Sequence, residues 1–341
     1  MSVSARHHGG WIRFIALSFA LVLPAGCAEL KLEYAQQHYE AGMVRLDADE
    51  FNEALREFQQ AVDLNPELAT AHSEMGGIFE HQGDFDKAAH SYEAAVTLNP
   101  DGFEDTFSLA KLYALLERFR DAVRAYVYAI DLEPDSYISH MGLGSVHYRL
   151  GQPELAQAAF ERALEINPDS EGAYNHLAII YDDQGKHYKA IRAYKESLER
   201  DRHQPHVLVN LGTTFLMQNR FIEAQGAFKA AIGMDPEHAP AHARYAYCLF
   251  RQRKYDDAIA SYERALAVDD KLASAHAGFG AVCMVKFLGD TSQLRPTDLR
   301  DTAIEHWHRS LELNPNQPRI QLLIQKYQPH PADPVEVLLG N

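Results

Sequence analysis

Histidine, cysteine and paired glycines are the residue types in this sequence with the most direct chemical use. Eighteen histidines among 341 residues would be enough for a metal centre or a general base. Ligation needs imidazoles that share a face, as the i,i+4 pair of HExxH does, and no HExxH occurs. His238 and His242 have that spacing, but Pro240 between them belongs at a helix start and spoils a shared face. His38, His72, His140, His242 and His276 are separated by multiples of 34 residues, one per structural unit. They therefore do not converge on one ion, and packing is their expected role.

The three cysteines, Cys27, Cys248 and Cys283, form no CxxC pair, so neither a zinc nor a redox motif is present. Gly142-Leu-Gly144 and Gly278-Phe-Gly280 follow no strand and lack a third glycine, which makes them packing glycines inside helices and not a phosphate loop. No GxSxG, Walker-type loop or Ser/His/Asp arrangement is found. The expectation is a protein with no catalytic residues, no metal and no cofactor.

The elements that hold these residues repeat. Ala69 to Gly102 reads as a helix, a tight turn at Gly83-Asp84, a second helix and a stop at Asn99-Pro100-Asp101-Gly102. Pro66, Pro100, Pro134, Pro168, Arg202, Pro236 and Asp270 then fall 34 residues apart, and Pro315 follows after one period plus an insertion of 11. Numbering each unit from 1 to 34, position 8 is Gly42, Gly76, Ala110, Gly144, Ala178, Gly212, Ala246 and Gly280. Position 20 is Ala54, Ala88, Ala122, Ala156, Ala190, Ala224, Ala258 and Ala303. Position 24 is always aromatic: Phe58, Tyr92, Tyr126, Phe160, Tyr194, Phe228, Tyr262 and Trp307.

This pattern resembles the tetratricopeptide repeat. The resemblance implies an all-α fold, a right-handed superhelical solenoid of eight helical hairpins with a C-terminal capping helix. The units are 35–68, 69–102, 103–136, 137–170, 171–204, 205–238, 239–272 and 273–317, the last with an extended turn near 286–296. A capping helix over 318–327 and an extended, mobile tail over 328–341 complete the chain. The physical cause is close approach: packed helix axes lie about 8–10 Å apart, Gly or Ala at positions 8 and 20 leaves that gap free, and the ring at position 24 fills the hollow beside it. Position 4, where this family places Trp or Tyr, is where the five periodic histidines stand. Cys248 and Cys283, inside first helices, are expected as buried free thiols.

The net charge of −16 repels phosphate backbones and anionic lipid, which excludes nucleic acid as a partner. At the amino end, Arg6 and Arg13 precede an apolar run from Phe14 to Leu23, then Pro24-Ala25-Gly26-Cys27. Basic, apolar and small in that order is the layout of a secretory signal, and the run is too short for a helix of about 20 residues that spans a bilayer. Ala-Gly-Cys resembles the lipobox of bacterial lipoproteins, which implies cleavage and an acyl anchor on Cys27. Ala28 in that family implies outer-membrane delivery where two membranes exist. Ordinary cleavage and release, or a retained anchor, are the other outcomes of this layout. Residues 28–34 would be a short tether, already helical in part.

In the resembled family, first helices line a concave groove with positions 2, 5, 6, 9, 12 and 13. This implies a partner-binding groove that includes Phe107, Lys111, Met141, Tyr148, Asn175, Ile179, Val209, Asn210, Met217, Arg244, Tyr247 and Phe250. Packing across adjacent helices is the alternative use of these side chains. Asn210 and Arg244 match two positions of the clamp with which some members hold a partner's C-terminal carboxylate, while Ile179 and Pro240 occupy two others. The array is also similar to the repeat region of O-linked N-acetylglucosamine transferase, without the transferase domain. The expected function is therefore a membrane-tethered scaffold that binds protein or peptide in an envelope assembly or maintenance complex, facing the periplasm. A soluble secreted binding protein and a pilus or secretin assembly lipoprotein are the alternatives.

Overall fold

The computed structural model describes residues 11–289 and 297–328, with side chains over 28–289 and 298–328. These residues form 17 helices and no strand. The chain divides after Asn167 into two compact units. The first holds α1 (Trp11–Asp47), α2 (Phe51–Leu64), α3 (Ala69–His81), α4 (Phe85–Leu98), α5 (Phe103–Leu115), α6 (Phe119–Leu132), α7 (Tyr137–Arg149) and α8 (Pro153–Ile166). The second holds α9 (Glu171–Asp183), α10 (His187–Arg200), α11 (Pro205–Met217), α12 (Phe221–Met234), α13 (Ala239–Arg251), α14 (Tyr255–Val268), α15 (Ala273–Gly289), α16 (Thr297–Leu313) and α17 (Pro318–Tyr327). Within each unit, consecutive helices pair as antiparallel hairpins that stack on their neighbours.

The turn inside each hairpin is built by one residue. Position 15 has positive φ seven times running, at Asp49, Gly83, Glu117, Gly151, Gly185, Asn219 and Arg253. The next backbone N–H then reaches back to the carbonyl of position 11, as Asp84 does to Phe79 (2.9 Å) and Lys186 to Tyr181 (2.7 Å), which is the Schellman closure of a helix. Glycine meets that requirement without strain, and Glu117 and Arg253 meet it at a cost. Pro153, Pro205 and Pro318 open second or first helices at positions that need no N–H.

The small residues do what their spacing predicts. Every alanine at position 20 is fully buried, and every ring at position 24 is buried. A Cβ placed on Gly42, Gly144 or Gly212 would lie 2.6, 2.9 and 2.7 Å from the rings of Phe58, Phe160 and Phe228 in the same hairpin. A Cβ on Gly280 would meet Trp307 and the Ala303 carbonyl at 2.7 Å. Cys248 and Cys283 are buried and unpaired, and burial raises their thiols to about 12 and about 11.

Two expectations change. Lys286 to Gly289 continue α15 instead of starting an extended turn, because the apolar run Val285 to Leu288 prolongs the helix; residues 290–296 lie outside the described ones. Repeat five has Arg202 where most repeats have Pro, yet α10 ends at Arg200, the same repeat position as the second helices of its neighbours, and a buried Gln204 closes the turn. Its Nε2 donates to the carbonyls of Ser197 (3.1 Å) and Asp201 (2.8 Å), while Ser197 Oγ donates to Glu171 (2.9 Å). Gln317 repeats this before α17, donating to Ser310 (2.9 Å) and Asn314 (2.8 Å). Residues 28–34 are helical within α1 and exposed, and Ala35 is the first buried side chain. The backbone of Cys27 lies in α1, but its side chain and the tail from 329 lie outside the described residues. No helix among the described residues is long and apolar enough to cross a membrane.

The contacts set the sign of two glycine substitutions. Gly142→Ala puts a methyl 2.3 Å from the Tyr126 ring, so overpacking of about 1–3 kcal/mol outweighs the gain of about 1 kcal/mol in helix propensity. Gly226→Ala in α12 meets nothing within 4 Å and stabilises by about 0.5–1 kcal/mol. Urea denaturation of both variants checks the opposite signs.

Candidate functional site

The periodic histidines are structural, and their partner was not foreseen. His72, His140, His242 and His276 place Nε2 at 3.3, 3.3, 2.9 and 3.0 Å from the carbonyls of Pro66, Pro134, Pro236 and Asp270. Each carbonyl is position 32 of the preceding repeat, so each imidazole donates across the turn that joins two hairpins. The signal was available as a histidine six residues after the helix stop. His38 has no preceding repeat and pairs its Nδ1 with Glu57 at 2.7 Å. No group of three or more His, Cys, Asp or Glu among the described residues is arranged for a metal ion.

In three hairpin pairs, position 6 of a first helix lies against the ring at position 24 of the preceding repeat. A Cβ on Gly142 or Gly278 would lie 2.3 or 2.2 Å from Tyr126 or Tyr262, and Tyr92 hydrogen-bonds Ser108. Where that ring carries a hydroxyl, the facing residue is short: Ser108, Gly142, Asn210 or Gly278. Elsewhere the position holds Glu74, His176 and Arg244, and burial pushes each toward its neutral form. Glu74 is raised by burial and then by Asp105, His176 lowered by burial and then by His206, and Arg244 lowered by burial.

The residues expected to line a groove divide between the two units. In the first, Phe107 stacks on Phe103 at 5.8 Å, and Lys111 sits over Phe107 and pairs with Glu80 at 3.2 Å. Met141 and Tyr148, on α7, are half-buried. In the second unit Asn175, Ile179, Asn210 and Phe250 are half-buried, and Met217, Arg244 and Tyr247 are exposed. Val209 is buried and belongs to the core, so it does not reach the surface. Phe250 packs against Tyr247 and Tyr255 at 6.4 and 6.1 Å. The Tyr247 hydroxyl accepts from Arg251 at 2.9 Å. The Asn175 side-chain oxygen is buried without a hydrogen-bond donor.

Arg244 differs from the other cations of this face. Lys111 has Glu80, and Arg251 lies over the Phe221 ring at 4.3 Å. Arg244 reaches solvent on a crowded face and has no ion pair or hydrogen bond among the described residues.

At the end of the second unit two histidines meet. Nδ1 of His276 and Nδ1 of His306 are 2.8 Å apart, and His306 stacks on Phe279 with centroids 4.2 Å apart. Because His276 Nε2 donates to Asp270, its Nδ1 accepts, and His306 donates from Nδ1. The contact thus places a proton on Nε2 of His276 and on Nδ1 of His306. His306 is lowered by burial and then by His276, with Glu305 opposing; Asp270, His308, Arg309 and Glu312 surround the pair.

Comparison with known proteins follows from this geometry. Residues 82–278, more than half of the chain, match the family model described as Cilia and flagella-associated protein 70 C-terminal domain. Residues 39–103 match the model described as Tetratricopeptide repeat. No curated protein matches the chain. Among solved structures, the APC/C hetero-tetramer Cut9-Hcn1 is similar at 16% identity and a TM-score of 0.58, over 82% of this chain and 53% of that one. The chain thus spans about half the length of that relative. Pseudomonas aeruginosa pilF is 18% identical with a TM-score of 0.56, over 66% of this chain and 97% of its own. The C-terminal part of a repeat-containing protein from Cytophaga hutchinsonii is 14% identical with a TM-score of 0.57, over 73% and 97%. Identities this low show a shared fold.

The histidine pair gives a pH dependence of definite sign. A base held neutral in the folded state binds fewer protons than in the unfolded chain below its ordinary value of about 6.5. The stabilisation from His306 is complete above that value and is lost as pH falls through it toward the lowered one. Thermal unfolding followed by circular dichroism is expected to show a midpoint that drops between pH 7 and pH 5, with a smaller drop in His306→Gln.

Proposed function

Because the chain belongs to the tetratricopeptide-repeat family, through a model that matches more than half of it, we propose that it is a non-catalytic scaffold that holds an extended peptide or partner helix against the first helices of its second unit. Arg244 is the observation that carries this reading. Its guanidinium reaches solvent without a partner although a chain of net charge −16 has carboxylates to spare, so it is open to the anion of a ligand. The same face exposes Tyr247 beside Arg244 in sequence, and Met217 one repeat earlier. Tyrosine offers a large rigid contact and methionine an adaptable one. The buried oxygen of Asn175 lacks a donor, and a peptide N–H is one. The ligand this describes carries a carboxylate near an apolar side chain. The cilia and flagella-associated protein that gives the matching model its name lends this reading a repeat architecture and nothing about location.

The scaffold is, in the same proposal, a lipoprotein of a bacterial envelope, anchored by acyl chains on Cys27 to a membrane, the outer one where there are two. It faces the periplasm and serves an assembly or maintenance complex. What supports this is the order of Arg6, Arg13, the apolar run and Ala25-Gly26-Cys27. Several acyl chains on one cysteine hold a protein firmly, since each buried CH₂ adds about 0.8 kcal/mol.

Two measurements test these readings separately. Arg244→Glu combined with Tyr247→Ala is expected to abolish capture of a crosslinked partner from envelope extract while leaving helicity unchanged, because both side chains are exposed. Undiminished capture places the binding face elsewhere. Radiolabelled palmitate is expected to enter the wild-type protein and not Cys27→Ala; no label in either overturns the acyl anchor and leaves ordinary cleavage and release or a retained anchor.

A further inference from the structure

In the second unit, the turns between the first and second helices of the first three hairpins carry a surface that the proposed binding face does not use. Position 16, the residue that precedes each second helix, is Lys186, Arg220 and Lys254 in consecutive repeats, and none of them caps its helix with a side-chain bond. A helix start bears partial positive charge and free N–H groups, so Asp, Asn or Ser stabilises it and a cation opposes it. In the first unit the same place holds Glu50, Asp84, Arg118 and Gln152, and Asp84 accepts from the Lys87 backbone N–H. The fold uses one of these three, since Arg220 lies over the Phe215 ring at 4.5 Å as Arg118 lies over Tyr113, but capping accounts for neither Lys186 nor Lys254.

Two residues further on stand Tyr188 and Ile222, 81% and 77% exposed, the barest large apolar side chains among the described residues. The matching positions in the first unit are Asn52, Asp86, Arg120 and Glu154. Of the cations, Arg220 pairs with Glu223 at 2.9 Å, whereas Lys186 bonds only Gln184, at 2.7 Å, and Lys254 has no ion pair among the described residues. Lys189 lies over the Tyr181 ring with no carboxylate partner, and Arg253 adds another unpaired charge beside Lys254. Of the carboxylates on this edge, Asp182 is held by His187 and Thr214, Glu223 by Arg220 and Asp256 by Lys286, with Asp183 and Asp257 beside them.

We infer that this turn edge docks on an anionic lipid bilayer, with Tyr188 and Ile222 entering the headgroup layer and Lys186, Arg220 and Lys254 meeting lipid phosphates. One occupant satisfies both halves of the surface. Tyrosine favours the membrane–water boundary, and basic residues that flank it add attraction to anionic headgroups. A peptide would need walls beside these two side chains, and their exposure shows that none exist. A second copy paired symmetrically would set cations against cations. Pairing with the acidic turns of another copy's first unit would place Tyr188 and Ile222 against Asn52 and Asp86. The net charge of −16 does not override the edge, because charges more than about 8 Å away are screened at physiological salt. The inference is independent of an acyl chain on Cys27.

Hydrogen exchange on the full chain reads the contact locally, so binding by the amino-terminal segment does not obscure it. The first-turn amides of 187–188 and 221–223 have no backbone acceptor and exchange freely, so they carry the signal. With vesicles of phosphatidylcholine plus phosphatidylglycerol, exchange over 184–189 and 218–224 is expected to slow several-fold, with no change over the Asp84–Lys87 turn. Phosphatidylcholine vesicles are expected to leave it unchanged. Tyr188→Ser with Ile222→Ser, and separately Lys186→Glu with Lys254→Glu, are expected to abolish the slowing at unchanged helicity. No slowing, equal slowing by phosphatidylcholine alone, or slowing that survives in either variant overturns the inference. Slowing by polyglutamate in place of vesicles also overturns it and makes the occupant an acidic polypeptide.

Discussion

The close approach of two helices beneath an aromatic ring is the constraint from which the rest follows. A residue with no or one side-chain carbon at positions 8 and 20 lets the backbones of a hairpin come together, and the ring at position 24 closes the space that remains. Gly144, Ala156 and Phe160 show the arrangement in one hairpin, with a Cβ on Gly144 only 2.9 Å from the ring. The ring also faces outward to the next hairpin, and this second contact couples neighbours. A Tyr hydroxyl reaching over Gly278 or bonding Ser108 takes up space that a longer residue would need. The choice between Phe and Tyr in one repeat therefore limits which side chain the following repeat presents beside it. Nearest-neighbour stability in a repeat protein has a specific atomic form here.

Once those positions are committed to packing, few side chains remain for function, and their character is informative. Most cations of the first unit are tied up: Arg118 with Asp121 and Glu93, Lys111 with Glu80, Lys87 with Asp84. Exposed pairs of this kind are worth little to stability, but they do neutralise the surface. Unpaired cations gather in the second unit, at Arg244 and at the turns that carry Lys186 and Lys254. Arg244 is exposed with no ion pair or hydrogen bond among the described residues, which leaves it open to a ligand's carboxylate. The buried oxygen of Asn175 is a smaller instance of the same thing. In a structure where nearly every other buried polar side chain finds a partner, such exceptions need a reason.

The hairpin boundaries, the small residues and the rings were legible in the sequence because each rests on a local rule repeated eight times. Periodicity also kept the histidines from being taken as ligands. What it did not show was their bond to the carbonyl of position 32, since that requires knowing where the imidazole lies after the turn has folded. The left-handed residue at position 15 was visible at Gly83 and hidden at Glu117 and Arg253, where side chains disfavoured in that conformation tolerate it under the pull of the Schellman bond. Gln204 illustrates a further limit. Gln204, seven residues from Ser197, closes a turn that lacks Pro at position 32, and Gln317 makes the same bonds beside Pro315, so the motif is independent of that Pro and was not visible in it. Val209 was placed at the surface by its repeat position and is buried, as Ala243 is at the same position of the next repeat.

The same reasoning separates the two surfaces of the second unit. Position 6 is adjacent to a buried ring, so its polar occupants are crowded and selective, and a ligand there must offer complementary groups at fixed points. Position 16 begins a second helix at a turn, where Lys186 and Lys254 are exposed and impose no such geometry. A crowded cation discriminates among partners because desolvation has already raised the penalty of a poor fit. A ladder of solvated cations attracts any dense anionic surface and leaves recognition to Tyr188 and Ile222. One repeat unit can thus carry a selective contact on its first helix and an unselective one at its turn, without either disturbing the packing that positions 8, 20 and 24 require.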